Sequence, residues 1–228
     1  MKFFSFMISL YIVMATMTGL PLIFDTGYFL RMTLDTFIAV VVFAFVASVT
    51  PGPNNMMLLA SGVNFGYRRT IPHMFGIAGG FFALLICIGA GLGTLLTQFP
   101  AVHTALKIAG GLYLLYLSWR IATSGALGRV QDAAQPMSFM AAAMFQWVNP
   151  KAWMMGISAM ALYTDAAQPY LSVFLVALAF VLVNFPSVSL WAGFGTALRG
   201  FLSDPTRRRI FNIAMGLLLA LCIIPMVQ

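Results

Sequence analysis

The sequence predicts an all-α integral membrane protein with a core of six transmembrane helices, and three observations support this prediction. Of 228 residues, 61% are hydrophobic and only 7% are charged, and the mean hydropathy is +0.96. A soluble domain carries about a quarter charged residues, so one globular core could not enclose so much apolar surface. The apolar residues also form runs of about 20, the length that a helix needs to cross a bilayer.

The charged residues favour a bilayer over a nucleic acid as partner. Twelve Lys and Arg residues stand against five acidic ones, which gives a formal net charge of +7. They occur in short clusters between apolar runs, as cytoplasmic loops do, and form no basic face with interleaved aromatic residues. Cys87 and Cys222 lie far apart inside apolar runs without metal-ligand spacing. We therefore expect two free, buried thiols and no metal or cofactor.

Seven apolar segments are long enough, or nearly so, to span a membrane: residues 3–24, 35–62, 71–97, 104–122, 137–163, 170–196 and 209–227. In the first segment an apolar stretch from Phe3 to Met17 follows Lys2 and precedes Gly19 and Pro21. This order is typical of a signal-type or anchoring segment, although no small-residue cleavage site follows. A chain start at Met32 is the alternative interpretation. Either way, residues 1–31 are an extra hydrophobic N-terminal segment outside the six-span core.

The arginines orient the six remaining spans, because basic residues accumulate in cytoplasmic loops. They follow the first, third and fifth core spans, at Arg68 and Arg69, at Arg120 and Arg129, and at Arg199 and residues 207–209. The alternate turns, residues 98–103 and 164–168, hold no Lys or Arg. We therefore expect the arginine-bearing turns in the cytoplasm and both ends of the six-span core outside.

Two of the six spans are interrupted by proline. The first contains Pro51-Gly52-Pro53 and the fourth contains Asn149-Pro150, each near the centre of its span. Proline removes a backbone donor and clashes with the preceding turn, so neither helix is expected to run straight through. Lipid offers no hydrogen bonds, so the backbone groups freed there need partners from protein, water or a bound molecule.

The second half of the core echoes the first. Residues 106–112 resemble residues 211–217, and the charge pattern gives these two spans opposite directions. With the paired breaks, this indicates a 3+3 inverted repeat: repeat one at 35–122, a cytoplasmic linker at 123–136 and repeat two at 137–227. In secondary transporters of this design, substrate binds near the midplane between the broken helices. Two ordinary proline kinks with a chance similarity are the alternative, since proline is common in membrane helices.

Six short motifs occur in order along residues 32–228, at 32–37, 50–54 (TPGPN), 61–69, 76–80, 107–117 and 145–152 (FQWVNPKA). In this order they resemble the LysE/RhtB family of bacterial amino-acid exporters, most closely the threonine, homoserine and cysteine-type efflux proteins. The resemblance implies a six-helix transporter domain at 32–228, in the bacterial inner membrane with both ends facing the periplasm. It also implies export of small amino acids or derivatives by proton antiport and alternating access. Residues 1–31 depart from the family pattern.

An amino-acid substrate needs a partner for its carboxylate and another for its ammonium. A cation is costly at the bilayer centre, so Lys151 is the predicted carboxylate partner, helped by the half-helix N-termini after Pro53 and Pro150. The carbonyls freed around Thr50 and Val148 are the predicted ammonium acceptors. The predicted substrate-binding residues are Thr50, Pro51, Gly52, Pro53, Asn54, Asn55, Gln146, Asn149, Pro150, Lys151 and Asn184.

Other roles stay open for several of these residues. Lys151 could extend to an interface, Asn54 or Asn55 could cap a half-helix, and Asn184 could satisfy a kink at Pro186. The proton-coupling candidates are Asp35, His73 and Lys151, in no order, although a histidine near a span end is ordinarily interfacial. The glycines at positions 76, 79, 80, 110 and 111 are expected to allow close helix packing, within the chain or in a homo-oligomer.

Three rival functions lack the residues that their chemistry needs. A metal-ion exporter needs clustered carboxylate, His or Cys ligands, and none are clustered in the sequence. A transmembrane thiol reductase needs two cysteines that can meet, and an intramembrane hydrolase needs a Ser/His or paired-Asp constellation within the spans. A purely structural membrane protein has no need of two breaks. The sequence therefore predicts a transporter rather than an enzyme.

Overall fold

The computed structural model describes residues 34–93, 98–124, 135–165 and 167–224, which are helical without strands. The first half comprises α1 (Leu34–Val49), α2 (Pro53–Phe65), α3 (Tyr67–Cys87, continued by a π-helical turn at Ile88–Leu92) and α4 (Pro100–Ala122). The second half comprises α5 (Phe139–Phe145, continued by a 3-10 turn at Gln146–Val148), α6 (Pro150–Tyr163), α7 (Pro169–Leu198), a 3-10 turn (Phe201–Ser203) and α8 (Pro205–Leu221). The predicted N-terminal segment, residues 1–31, and most of the predicted linker lie outside the described residues.

Both predicted helix breaks are present. Helices α1 and α2 meet at an angle of 57° across the short break after Val49. In the second half the chain leaves the helical conformation at Asn149, with φ −84° and ψ 109°. Pro53 and Pro150 each begin the next helix, where the missing N–H of proline has no helical partner to lose. By contrast α7 continues through Pro186, so proline alone does not break a helix here.

Within the part of the chain that the structure describes, two helical segments are long and apolar enough to cross a bilayer. They are Tyr67–Leu92, which joins α3 to its π-helical turn, and Pro169–Leu198, which is α7. The bent pair α1 and α2 provides a third span if its two halves count as one. These features agree with an all-α membrane protein, while the six-span inverted repeat stays a prediction.

The two halves of the sequence share their apolar core. Residues 39–228 form one compact unit in which α7 packs on α2 and α3, α5 packs on α3, and α8 packs on α4. One buried cluster joins Ala44 and Phe81 to Phe180, and another joins Leu114 to Phe145 and Leu219. Since each cluster draws on both halves, the first half has no separate core of its own.

Glycine brings α2 and α7 into backbone contact. A Cβ atom added at Gly62 would lie 2.3 Å from the carbonyl oxygen of Ala192, and one at Gly195 would lie 2.2 Å from that of Leu59. Both distances are far shorter than any real Cβ contact. In a bilayer, close packing of this kind provides the attraction that the hydrophobic effect provides in water.

A second glycine contact joins α3 to α5. A Cβ atom at Gly76 would lie 2.3 Å from the carbonyl oxygen of Phe139, and one at Gly80 would lie 2.4 Å from that of Ala143. These two glycines therefore allow close packing, as the sequence predicts. Gly79 and Gly111 are less confined, with nearest neighbours at 3.4 Å and 4.0 Å.

The α2–α7 contact can be tested within α7 itself. We expect Gly195→Ala to destabilise the protein by about 1–3 kcal/mol, because the added methyl group meets rigid backbone. Gly193→Ala is the matched control, since a Cβ atom there has nothing within 4 Å. Thermal unfolding of both variants in one detergent measures the difference. Equal unfolding temperatures would contradict the packing described.

Candidate functional site

The two helix breaks lie against each other. Asn54 Nδ2 donates to Gln146 Oε1 at 2.9 Å, and Gln146 Nε2 donates back to Asn54 Oδ1 at 3.1 Å. Gln146 is only 1% exposed and also donates to the carbonyl oxygen of Ala142 at 2.9 Å. This reciprocal amide pair joins positions 92 residues apart and holds the start of α2 on the end of α5.

Lys151 forms a second bridge between the breaks. Its Nζ donates to Thr50 O at 2.7 Å, to Thr50 Oγ1 at 2.9 Å and to Pro51 O at 3.4 Å. We call these three oxygens the carbonyl seat. Three acceptors match the three N–H donors of an ammonium group. The lysine therefore directs its charge into the first break.

Side chains satisfy the other carbonyls freed at the first break. Asn55 Nδ2 donates to Ser48 O and to Thr50 O, each at 2.8 Å. Trp191 Nε1 donates to Val49 O at 3.2 Å. At the second break, Trp153 Nε1 donates in the same way to Trp147 O at 2.8 Å. Protein donors thus replace the lost helical hydrogen bonds, as a lipid surrounding demands.

The caps of the two half-helices differ from the expectation. Gly52 is the N-cap residue of α2 and no side chain bonds there, so neither Asn54 nor Asn55 has the capping role considered for it. Helix α6 is capped instead by Asn149, whose Oδ1 accepts from the backbone N–H of Lys151 at 3.2 Å. The cap fixes the backbone from which the lysine extends.

A small, partly open cavity lies where the breaks meet. Its polar wall comprises Ser48, Asn54, Asn55, Gln146, Asn149, Lys151 and Asn184. Its remaining wall comprises Ala47, Gly52, Ile77, Phe81, Ala152, Met155 and Val188. Among the predicted residues, Thr50 and Pro51 adjoin the cavity through the carbonyl seat, while Pro53 and Pro150 begin the half-helices beside it. This wall carries one cation and no carboxylate.

One part of the cavity wall carries a positive potential, because two half-helices begin there, whereas the carbonyls at the end of α1 carry the opposite partial charge. Helices α2 and α6 both begin there, and the first N–H groups of a helix have no carbonyl partner within it. Each helix N-terminus carries a partial positive charge, which adds to the charge of Lys151. The cavity therefore favours a ligand that presents an anionic group.

Asn184 presents an unpaired acceptor at the cavity. The residue is 5% exposed, and its Nδ2 donates to Ser48 Oγ at 3.0 Å. Its Oδ1 has no partner among the described residues. Such an atom costs about 1–3 kcal/mol, so it marks a position for a ligand or water. The role considered for Asn184 at the Pro186 kink is not observed, because the side chain binds α1.

The proton-coupling candidates lie in different surroundings. Lys151 is in the cavity wall, whereas His73 lies within α3, outside the wall. His73 is 1% exposed and neither ring nitrogen has a hydrogen-bond partner in the part of the chain that the structure covers. Its ring is therefore enclosed by protein, and its proton-coupling role stays a prediction. The side chain of Asp35 lies outside the described residues.

The cysteines and potential metal ligands form no second site. Cys87 and Cys222 are both free, as the sequence predicts, but each is half-exposed rather than fully buried. Within residues 34–93, 98–124, 135–165 and 167–224, no three His, Cys, Asp or Glu side chains come close enough to hold a metal ion.

Sequence reasoning missed the apolar wall and one polar network. Ile77 and Phe81 face the cavity one helical turn apart, each directly after a packing glycine, and that spacing was the available signal. Asn64 and Asn212 exchange amide hydrogen bonds at 3.0 and 3.3 Å, and Asn212 donates to Ser124 O at 2.6 Å. No local pattern pairs residues 148 positions apart.

The amide bridge between the breaks can be measured by a double-mutant cycle. We expect Asn54→Ala and Gln146→Ala to show a coupling energy of about 0.5–1.5 kcal/mol in thermal unfolding, because each side chain is the other's partner. The control cycle combines Asn54→Ala with Asn212→Ala, which belongs to the separate network, and we expect additive effects there. Additivity in both cycles would contradict the bridge.

Comparison with known proteins agrees with this architecture. The family model described as LysE type translocator matches residues 45–224. The cysteine/O-acetylserine efflux protein of Escherichia coli (strain K12) is 31% identical over 186 residues, which cover 79% of this chain and 91% of that protein. Proteins of the same name from Shigella sonnei (strain Ss046) and Shigella flexneri match with the same identity and coverage. No solved structure matches the chain significantly. The chain therefore belongs to the LysE type translocator family and is a transporter rather than an enzyme.

Proposed function

We propose that this protein exports small, neutral amino acids or their derivatives from the bacterial cytoplasm across the inner membrane. The relatives are named for efflux of cysteine and O-acetylserine, both small zwitterions without side-chain charge. The observation that carries the proposal is the polar cavity at the junction of the two broken helices. Broken helices that meet in a cavity are the usual substrate site of secondary transporters.

The cavity offers partners for both charges of an amino acid. The ammonium of Lys151 and the N-termini of α2 and α6 suit the carboxylate. Asn184 Oδ1, buried and without a partner in the described structure, suits the α-ammonium. The site residues therefore act as one group in which the amides of Asn54 and Gln146 hold the two breaks in place.

The same wall selects against basic amino acids. A lysine or arginine substrate would bring a second cation beside Lys151, and no carboxylate in the cavity wall would compensate for it. Ile77, Phe81 and Met155 supply an apolar surface for the substrate side chain. Neutral substrates are thus favoured by charge.

We infer that transport proceeds by alternating access between the two predicted repeats. Helices of both halves line the cavity and share the apolar core, so a movement of one half against the other changes which side of the cavity opens. The arginines at positions 68, 69, 199 and 207–209 support a cytoplasmic location for their turns. Both ends of the core then face the periplasm.

Proton antiport is the proposed driving force, with Asp35, His73 and Lys151 as candidate carriers. His73 is supported by its surroundings: a proton bound there would create a buried cation without a partner in this conformation. Protonation of His73 is therefore tied to a conformation in which the ring meets water or an anion. Such a link between protonation and conformation is what antiport requires.

The export activity is tested first with the intact chain. Cells that express it are loaded with radiolabelled threonine, homoserine, cysteine or O-acetylserine, with lysine as the charged comparison. We expect faster loss of at least one neutral compound, reduced by a protonophore, and no faster loss of lysine. Unchanged loss of every compound, with the protein present in the membrane, would overturn the proposed function.

The role of Lys151 is tested by comparing its alanine variant with an alanine variant of Lys107. Because Lys151 pairs with the substrate carboxylate, we expect Lys151→Ala to slow efflux by about tenfold or more. Lys107→Ala is the matched control, since Lys107 lies outside the cavity wall. Both variants are compared with the parent chain at equal amounts in the membrane. Normal efflux by Lys151→Ala would exclude this role.

The role of His73 is tested by separating coupling from binding. In proteoliposomes, we expect His73→Gln to retain exchange of labelled for unlabelled substrate but to lose accumulation driven by a pH gradient. Glutamine keeps a polar side chain at this position but has no group that takes up or releases a proton. Accumulation equal to that of the parent chain would rule out His73 as the proton carrier.

A further inference from the structure

We propose that the carbonyl seat at Thr50 and Pro51 is the subsite for the substrate's α-ammonium group, and that Lys151 and the substrate occupy it in turn. This inference rests on the proposed function and adds the way in which the site distinguishes a zwitterion from a simple amine. In this structure the seat holds the Lys151 ammonium, with acceptor distances of 2.7, 2.9 and 3.4 Å.

The chemistry of the two occupants is the same. The ε-ammonium of lysine and the α-ammonium of an amino acid are both primary ammonium groups with three N–H donors. The seat offers Thr50 O, Thr50 Oγ1 and Pro51 O to a single nitrogen atom. Three acceptors that fit one primary ammonium also fit another, so the two groups compete directly.

Lys151 is held in a way that lets its ammonium leave. The backbone is fixed, because its N–H donates to the capping oxygen of Asn149 at 3.2 Å. The side chain passes over Gly52, where an added Cβ atom would lie 2.7 Å from Lys151 Cδ and 3.1 Å from Nζ. The charge is bound only by neutral oxygens, and a carboxylate is a stronger partner than a carbonyl. A substrate carboxylate can therefore draw the ammonium out of the seat.

A zwitterion exchanges partners without leaving a charge unpaired. Its carboxylate takes the Lys151 ammonium, and its own ammonium takes the vacated carbonyl seat. No proton transfer or bond cleavage is needed. After the substrate leaves, Lys151 returns to the seat, which restores the hydrogen bonds of the first break.

A simple amine cannot make this exchange. It would displace Lys151 from the seat and leave that cation without an anion, in a cavity wall that holds no carboxylate. An unpaired cation in a membrane protein is strongly unfavourable. The seat and Lys151 together thus require both an ammonium and a carboxylate on the same substrate.

The test measures binding of cysteine and of its decarboxylated analogue, 2-aminoethanethiol, to the purified full-length chain by calorimetry under reducing conditions. We expect the parent chain and Lys107→Ala to bind the amine about tenfold or more weakly than cysteine. Lys151→Ala frees the seat, so we expect it to bind the amine about tenfold more tightly than the parent chain does and to lose the preference for cysteine.

A second variant, Gly52→Ala, provides the test if Lys151→Ala does not fold. In Gly52→Ala the added methyl group displaces the Lys151 stem, so we expect amine affinity to rise above that of the parent chain while the lysine remains. Amine affinity equal to that of the parent chain in folded Lys151→Ala, or in Gly52→Ala if the former does not fold, would overturn the proposal. If the parent chain neither binds nor exports any neutral amino acid, the proposed function is rejected. If the parent chain binds cysteine but the variants show no gain in amine affinity, only the exchange of Lys151 and substrate at the carbonyl seat is rejected.

Discussion

The structure depends on one constraint: a backbone group freed inside a membrane must find its hydrogen bond within the protein. The two proline-containing breaks expose carbonyls in the middle of the first and fourth predicted spans, and each break supplies donors to the other. Lys151 serves the carbonyls before Gly52, while Asn54 and Gln146 serve one another. The helix breaks are therefore a shared structure rather than two separate kinks.

The groups that complete this junction are also suited to bind a substrate. A lysine bound by neutral oxygens is satisfied, yet its partners are weaker than a carboxylate would be. Asn184 is held in place by the hydrogen bond from its Nδ2 to Ser48, while its Oδ1 is left without a partner and can accept a hydrogen bond from a ligand. In the exchange that we propose, each hydrogen bond that Lys151 gives up is replaced by one to the substrate.

The glycine contacts set the positions of the half-helices. Gly62 and Gly195 bring α2 onto α7, and Gly76 and Gly80 bring α5 onto α3, in each case until backbone atoms touch. These contacts are short-ranged and depend on shape alone. They fix the packing of the helices without strong polar bonds, which would oppose a change to a different packing. Such contacts are compatible with the alternating access that we propose.

The sequence by itself determined the local features: helical composition, the breaks before Pro53 and Pro150, and the polar residues around them. Local chemistry suffices there, because proline and apolar run length act on neighbouring residues. Only the tertiary structure decided that Lys151 binds the opposite break, that Asn184 binds α1 instead of its own kink, and that His73 is fully buried. These outcomes depend on which helix faces approach each other, and that depends on packing between residues far apart in the chain.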